Sequence, residues 1–311
     1  MQNNLEWLSG YVFHKGHLYS YESDRVILEV IEPFVKKCFE NEWIKNYFFI
    51  RYSVDGAHIR IRFFGESEKL QNIVKPEFEQ FIKLNFPEDL KVDSPDYSVL
   101  KWVEYEPEIE RYGGEYAIKI AEECFHYSSD FAIQMLHDVE NGNNSQRLGK
   151  GLIATNIIIY AFAQNTELGL SLSDSYHNGY LFRIAEQEDV KNNVLEMFND
   201  GFEKQSDTLI EFVNTLWEVL EIESELPESL EEFYNNILQI RKKLTALNEE
   251  GKLIPNKPEL TIEQKLLYVV PSYIHMMNNR LGISIPEESY LTFLISKALK
   301  SSATKGELVN D

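Results

Sequence analysis

The chain has 311 residues, 43% hydrophobic and 13% aromatic, a length that buries roughly three quarters of the surface an unfolded chain exposes, so no disulfide or metal staple is required. Lys and Arg number 30 against 51 Asp and Glu, a formal net charge of −21, which repels nucleic-acid phosphates and anionic lipid and argues against direct binding to nucleic acid or membrane. Cys38 and Cys124 both fall in apolar helical patterns and read as buried thiols in a reducing compartment.

From the start of the chain, Trp7 to Ser20 is rich in aromatic and β-branched residues, with a break at Lys15-Gly16. The spacing of Val26, Val30, Phe34 and Cys38 predicts a helix over 22–40, kinked or split at Pro33. Two strand-like runs, 47–52 and 57–64, flank Ser53-Val54-Asp55-Gly56, where Asp-Gly signals a hairpin. An amphipathic helix is expected over 66–86, ended by Pro87, and a further strand over 97–105, stopped by Pro107. Strand, helix, strand, strand, helix, strand is the ferredoxin-like split pattern, an antiparallel four-stranded sheet with two helices on one face.

From Gly114 onward the pattern is helical, with segments near 114–140, 148–164, 191–222, 227–249, 262–281 and 286–300. Asn141–Asn144, Pro227, Pro255 and Pro286 separate several of them. The longest apolar stretch, 152–163, contains Thr155 and Asn156 and is too short to span a bilayer. The first residues show no basic stretch followed by an apolar one, so no secretion signal is read and a cytoplasmic location is expected. The expected fold is α+β, one domain over 1–311 with a sheet region to 112 and a helical region from 113.

Three stretches carry candidate chemistry. In His58-Ile59-Arg60-Ile61-Arg62-Phe63, strand alternation puts His58, Arg60 and Arg62 on one face and the apolar residues on the other. Two arginines two residues apart form a double fork suited to carboxylates or a developing oxyanion; a solvated strand face or structural ion pairs would use the same residues. Glu106-Pro107-Glu108-Ile109-Glu110-Arg111-Tyr112-Gly113-Gly114 lies at a strand-to-helix junction and fits a site rim and a polar helix-capping connection equally. In the third, His275 and Asn279 lie four apart on one predicted helix. A histidine is suited to proton exchange near neutral pH, although a lone helical histidine is more often structural.

His14, His17, His126, His137 and His177 have no companion pattern. There is no phosphate-binding glycine loop, no His-Glu-x-x-His, no Cys-x-x-Cys and no Gly-x-Ser-x-Gly, so no cofactor or metal is expected.

Together these stretches resemble the lantibiotic dehydratase C-terminal family, also described as a thiopeptide-type bacteriocin biosynthesis domain. The likeness is carried by Phe48-Phe49-Ile50-Arg51-Tyr52, by His58-x-Arg60-x-Arg62-Phe63 and by Glu106 to Gly114. Ala121 to His126 and the late His275-x-x-x-Asn279-Arg280-Leu281 complete it, in that order along the chain. One departure is Ser128-Ser129, where many relatives are expected to carry Asp-Ser.

The resemblance implies a lyase-type β-elimination of glutamate from glutamylated Ser or Thr of a precursor peptide, giving dehydroalanine or dehydrobutyrine. It implies Arg60, Arg62, Glu108, Arg111 and His275 as catalytic residues, with His58 and Asn279 at the substrate. It also implies a separate tRNA-dependent glutamylating protein as partner; a homodimer is left open. Two rivals remain. Pyridine synthases of the same family perform a formal cycloaddition and are expected to have lost the elimination arginines and histidine. A non-catalytic subunit would hold a leader peptide on a sheet edge.

Overall fold

In the computed structural model, which describes residues 4–92, 98–184, 188–222 and 226–308, the chain opens with β1 (Leu5–Phe13). It then runs through α1 (Tyr21–Val26), a π-helical turn Ile27–Ile31 and α2 (Glu32–Glu40). β2 (Asn46–Tyr52) and β3 (His58–Glu66) form the hairpin, and its turn holds Asp55 and Gly56 at φ of 66° and 108°, as an Asp-Gly turn demands. After β3 come α3 (Ser67–Lys69), a second π turn Leu70–Val74, α4 (Lys75–Asn85) and β4 (Leu100–Val103). Tyr97, where the last strand was expected to begin, lies outside the described residues.

The sheet order is β2-β3-β1-β4, with every neighbouring pair antiparallel. The prolines inside the two predicted helices are accommodated rather than disruptive. Proline lacks an N–H and its ring crowds the carbonyl four residues back. Pro33 and Pro76 each stand just after a π turn, where the wider helical ladder accommodates the missing donor.

The remaining helices are α5 (Ala117–His137), α6 (Asn144–Ala163), α7 (Thr166–Ile184), α8 (Glu188–Glu203), α9 (Ser206–Glu221), α10 (Glu228–Glu249), α11 (Ile262–Leu281) and α12 (Ile285–Leu308). Two differ from expectation. The segment 191–222 is two helices parted at Lys204-Gln205, and α7 was not anticipated.

The chain divides into two compact units. The first comprises residues 1–108, 121–147 and 279–282, the second 109–120, 148–278 and 283–311. Each unit is thus assembled from three separate stretches of the sequence.

In the first unit Ile59, Ile61 and Phe63 are fully buried. Phe63 meets Phe34 of α2 and Phe78 of α4 at ring-centroid distances of 5.7 and 5.4 Å. Each such ring stabilises the fold by roughly 1.5–3 kcal/mol when buried. On the edge strand β2, Phe49 N donates to Ser129 Oγ at 3.2 Å. The Asn279 amide brackets Arg51, accepting from its N at 2.9 Å and donating to its O at 3.0 Å.

Asp24 lies between two buried guanidinium groups, accepting from Arg51 Nη2 at 2.6 Å and from Arg147 Nη1 at 3.1 Å. Gly282, at φ 76°, passes so close that a Cβ there would come within 2.6 Å of Arg147 Nη1.

The second unit contains an apolar cluster of Phe198, Phe202, Leu209, Phe293 and Leu294. Its last helix, α12, begins with a side-chain cap supplied by Glu287. Ser284 N and Oγ both donate to Glu287 Oε2, at 2.9 and 2.6 Å, satisfying a helix-start donor. One position further, Glu288 has no exposure at all. Among the described residues no helix is long and apolar enough to cross a membrane.

Candidate active site

In the first unit β3 alternates as its sequence predicts. Opposite the apolar residues, His58, Arg60 and Arg62 share a face with Tyr11 of β1 and with Phe48 and Tyr52 of β2, following the strand register. Arg60 Cζ sits 3.4 Å from the Tyr52 ring centroid and 4.7 Å from that of Tyr11, and Arg60 Nε donates to His58 Nε2 at 3.3 Å. His58 Nδ1 is 2.8 Å from Gly56 O. One ring nitrogen therefore donates to a carbonyl while the other accepts from a guanidinium, the pattern of a neutral imidazole. Burial above all, helped by the Arg60 charge, pushes the His58 pKa down to about 4.

Arg62 lies over Phe48 and Tyr105, with Cζ 5.0 and 4.9 Å from the ring centroids. Its buried Nε meets no hydrogen-bond acceptor among the described residues. Burial lowers its pKa to about 10 and Arg60 adds to the effect, whereas Tyr105, Tyr11 and Glu108 oppose it. The group remains cationic at neutral pH. Glu108 thus acts electrostatically on Arg62, and Arg60 and Arg62 form a cushioned pair of cations able to hold an anion.

In the second unit Arg111 belongs to a single 3-10 turn, Glu110–Tyr112. The Gly-Gly that follows has φ of 95° and 114°, and a Cβ on Gly113 would come within 2.8 Å of Leu253. The pair therefore serves a tight turn and close packing. Arg111 Nε donates to Ser272 Oγ at 3.0 Å, one helical turn before His275 on α11.

His275 Nδ1 lies 2.9 Å from Glu288 Oε2 and 3.1 Å from Oε1. The Tyr176 hydroxyl of α7 donates to the same carboxylate. The His275 side chain is 24% exposed and that of Glu288 0%. Burial first, and Glu288 second, hold the Tyr176 pKa well above the ordinary phenol value.

Several motif residues turn out to have structural occupations. Asn279, expected at the substrate, uses both amide atoms on the Arg51 main chain. Arg51 is tied to Asp24. Ser129 Oγ donates to Phe125 O at 2.7 Å and accepts from Phe49 N and from Arg280 Nε, so Ser129, the serine that an Asp-Ser pair would share, is a buried hub. Ser128 bonds back to Cys124 O. Glu288 and Tyr176 were not singled out from the sequence: Glu288 looks like an ordinary first-turn acid, and Tyr176 lies 112 positions before it.

Cys38 and Cys124 are free and buried, and burial pushes both thiols up to about 12, which makes them poor nucleophiles. Among the described residues no three His, Cys, Asp or Glu side chains gather to hold a metal ion.

The chain belongs to the lantibiotic biosynthesis dehydratase C-terminal family, whose model matches residues 7–299. It is 26% identical over 310 residues to the epidermin biosynthesis protein EpiB of Staphylococcus epidermidis, a match covering 96% of this chain and 26% of EpiB. The chain thus spans about a quarter of that relative's length.

Among solved structures, the tRNA-dependent lantibiotic dehydratase MibB from Microbispora sp. 107891 superposes with a TM-score of 0.70 at 20% identity, over 98% of this chain and 29% of MibB. TsrL matches with a TM-score of 0.71 at 15% identity, over 97% of this chain and 96% of its own. TbtD, the pyridine synthase from thiomuracin biosynthesis, matches at 0.70 and 19%, over 95% and 98%. At these identities the structural likeness is one of fold.

Proposed function

We propose that this chain eliminates glutamate from glutamylated Ser or Thr of a ribosomally made precursor peptide, leaving dehydroalanine or dehydrobutyrine. The observation that carries the reading is the cation pair on β3. Arg60 and Arg62 are cushioned by aromatic rings, and the buried Nε of Arg62 meets no acceptor among the described residues, an arrangement suited to the carboxylates of a glutamyl ester.

Carboxylate is a good leaving group, so the difficult step is removal of the weakly acidic α-proton. In this reading His275 Nε2 takes that proton. The C–H electron pair becomes the Cα=Cβ bond, and the Cβ–O bond breaks with its pair on the departing glutamate carboxylate. Arg60, Arg62 and Arg111 hold the glutamyl carboxylates and the charge that develops on the enolate-like intermediate. Glu108 orients or balances the arginines, a role supported by its effect on Arg62. The His58 imidazole steadies Arg60.

The ester would come from a tRNA-dependent glutamylating activity on a separate protein. In fold terms, the strand order with two helical crossovers supports a ferredoxin-like sheet.

The test is mass spectrometry of a glutamylated precursor incubated with the purified chain. Loss of glutamate with formation of a dehydro residue is expected, and Arg60→Ala or His275→Ala should leave the ester accumulating. Hydrolysis back to Ser or Thr, or leader binding without turnover, would overturn the elimination reading. Ring closure of a dehydrated, azole-bearing peptide would replace it with pyridine synthesis.

A further inference from the structure

Glu288 is sealed from solvent and engaged by two donors from different helices, Tyr176 of α7 and His275 of α11. Burying a carboxylate is costly unless it is fully hydrogen-bonded. An imidazole that needs only a polar neighbour can use a main-chain carbonyl, as this protein does elsewhere. His14, His58 and His177 place Nδ1 at 2.6, 2.8 and 3.0 Å from Lys15 O, Gly56 O and Ser173 O. His137 does face a carboxylate, Glu32, but its side chain is 52% exposed and Glu32 also pairs with the exposed Lys36. His126 faces a tyrosine-held carboxylate too, Asp130 at 3.6 Å, but that group is 46% exposed, whereas the carboxylate of His275 is inaccessible to water.

A carboxylate only accepts, so Nδ1 of His275 must carry a hydrogen, and in the neutral imidazole Nε2 then keeps its lone pair. We propose that Glu288 is a positioning residue for His275, fixing the tautomer that leaves Nε2 able to take a proton, while the Tyr176 hydroxyl holds the carboxylate in place. When Nε2 is protonated, the new imidazolium forms against an anion already oriented to receive it. Among the described residues, the charged groups besides Glu288 that act on the Tyr176 hydroxyl are Arg183 on α7 and Arg111, from the turn before α5. The catalytic meaning of the assignment rests on the elimination reading; the tautomer does not.

The experiment uses the full chain, with nitrogen NMR of the His275 ring assigned by its loss in His275→Gln, alongside turnover of a glutamylated peptide. In the unaltered protein at neutral pH, hydrogen on Nδ1 and a bare Nε2 are expected. Glu288→Gln should populate the opposite tautomer and lower kcat by roughly 10²- to 10³-fold, with KM changed by no more than about threefold and the thermal midpoint recorded in parallel. If Glu288→Gln fails to fold, Tyr176→Phe and the ring state of the unaltered protein still decide the matter. Hydrogen on Nε2 in the unaltered protein overturns the proposal, as does a Glu288→Gln variant with tautomer and kcat unchanged. The expected tautomer in a protein that never eliminates glutamate would support the positioning role while removing the proposed reaction.

Discussion

Arg60 Nε donates to His58 Nε2 across 3.3 Å, so the imidazole beside the strand cations acts as a base-side acceptor and not as a third positive charge. Its pKa is held near 4, against an ordinary 6.5. The unfolded chain then binds a proton that the folded chain refuses, so this contribution is complete above about pH 6.5 and is lost as the pH falls toward about 4. The lowered values of His14 and His177 act in the same direction. Thermal unfolding at stepped pH should show the midpoint dropping across that window. The difference between the unaltered protein and His58→Gln should shrink as the solution is acidified, and a constant difference would count against the neutral imidazole.

Arg60 is stacked as well as charged. Lysine keeps the charge but loses the planar face that lies 3.4 Å from the Tyr52 ring centroid. Arg60→Lys should therefore slow elimination by about 10²-fold, whereas Tyr52→Phe, which keeps the ring, should leave the rate within a few-fold. Single-turnover mass spectrometry of a glutamylated peptide separates the two.

Asp24 is the anion between Arg51 and Arg147. Asp24→Asn leaves two buried guanidinium groups without it, and a loss of about 3–5 kcal/mol is expected in denaturant unfolding. Gly282→Ala should be damaging for a steric reason at the same place, since a methyl group there meets Arg147 and Arg51 on backbone that side chains rarely adopt.

Asn279→Ala removes both hydrogen bonds to the Arg51 main chain. A cost of about 1–3 kcal/mol is expected for leaving those buried groups unmet. Hydrogen exchange should show faster exchange of the Arg51 amide, with little change at the β1–β3 ladder.

The sheet was legible because its signals are local. Alternation in β3, Asp55-Gly56 in the turn and proline at the ends of 66–86 and 97–105 each report on neighbouring residues. α7 was missed because its buried face mixes Leu168, Leu172 and Leu181 with Ser173 and His177, while Gly169 and Gly179 interrupt the pattern. α8 and α9 were merged because Lys204-Gln205 contains neither glycine nor proline to mark the break. The strand cations could be read from two-residue spacing, but the partner of His275 could not. Glu288 is 13 residues further along and belongs to another helix, and nothing in a linear pattern distinguishes it from its capping neighbour Glu287.

The side-chain bonds along β2 also bear on self-association. An exposed strand margin invites a second chain to pair with it. At Phe49 and Arg51 any incoming backbone would first have to displace Ser129 and Asn279 from bonds they already make. Through these two side chains, the fold discourages strand-to-strand aggregation along this side without devoting a further strand to covering it.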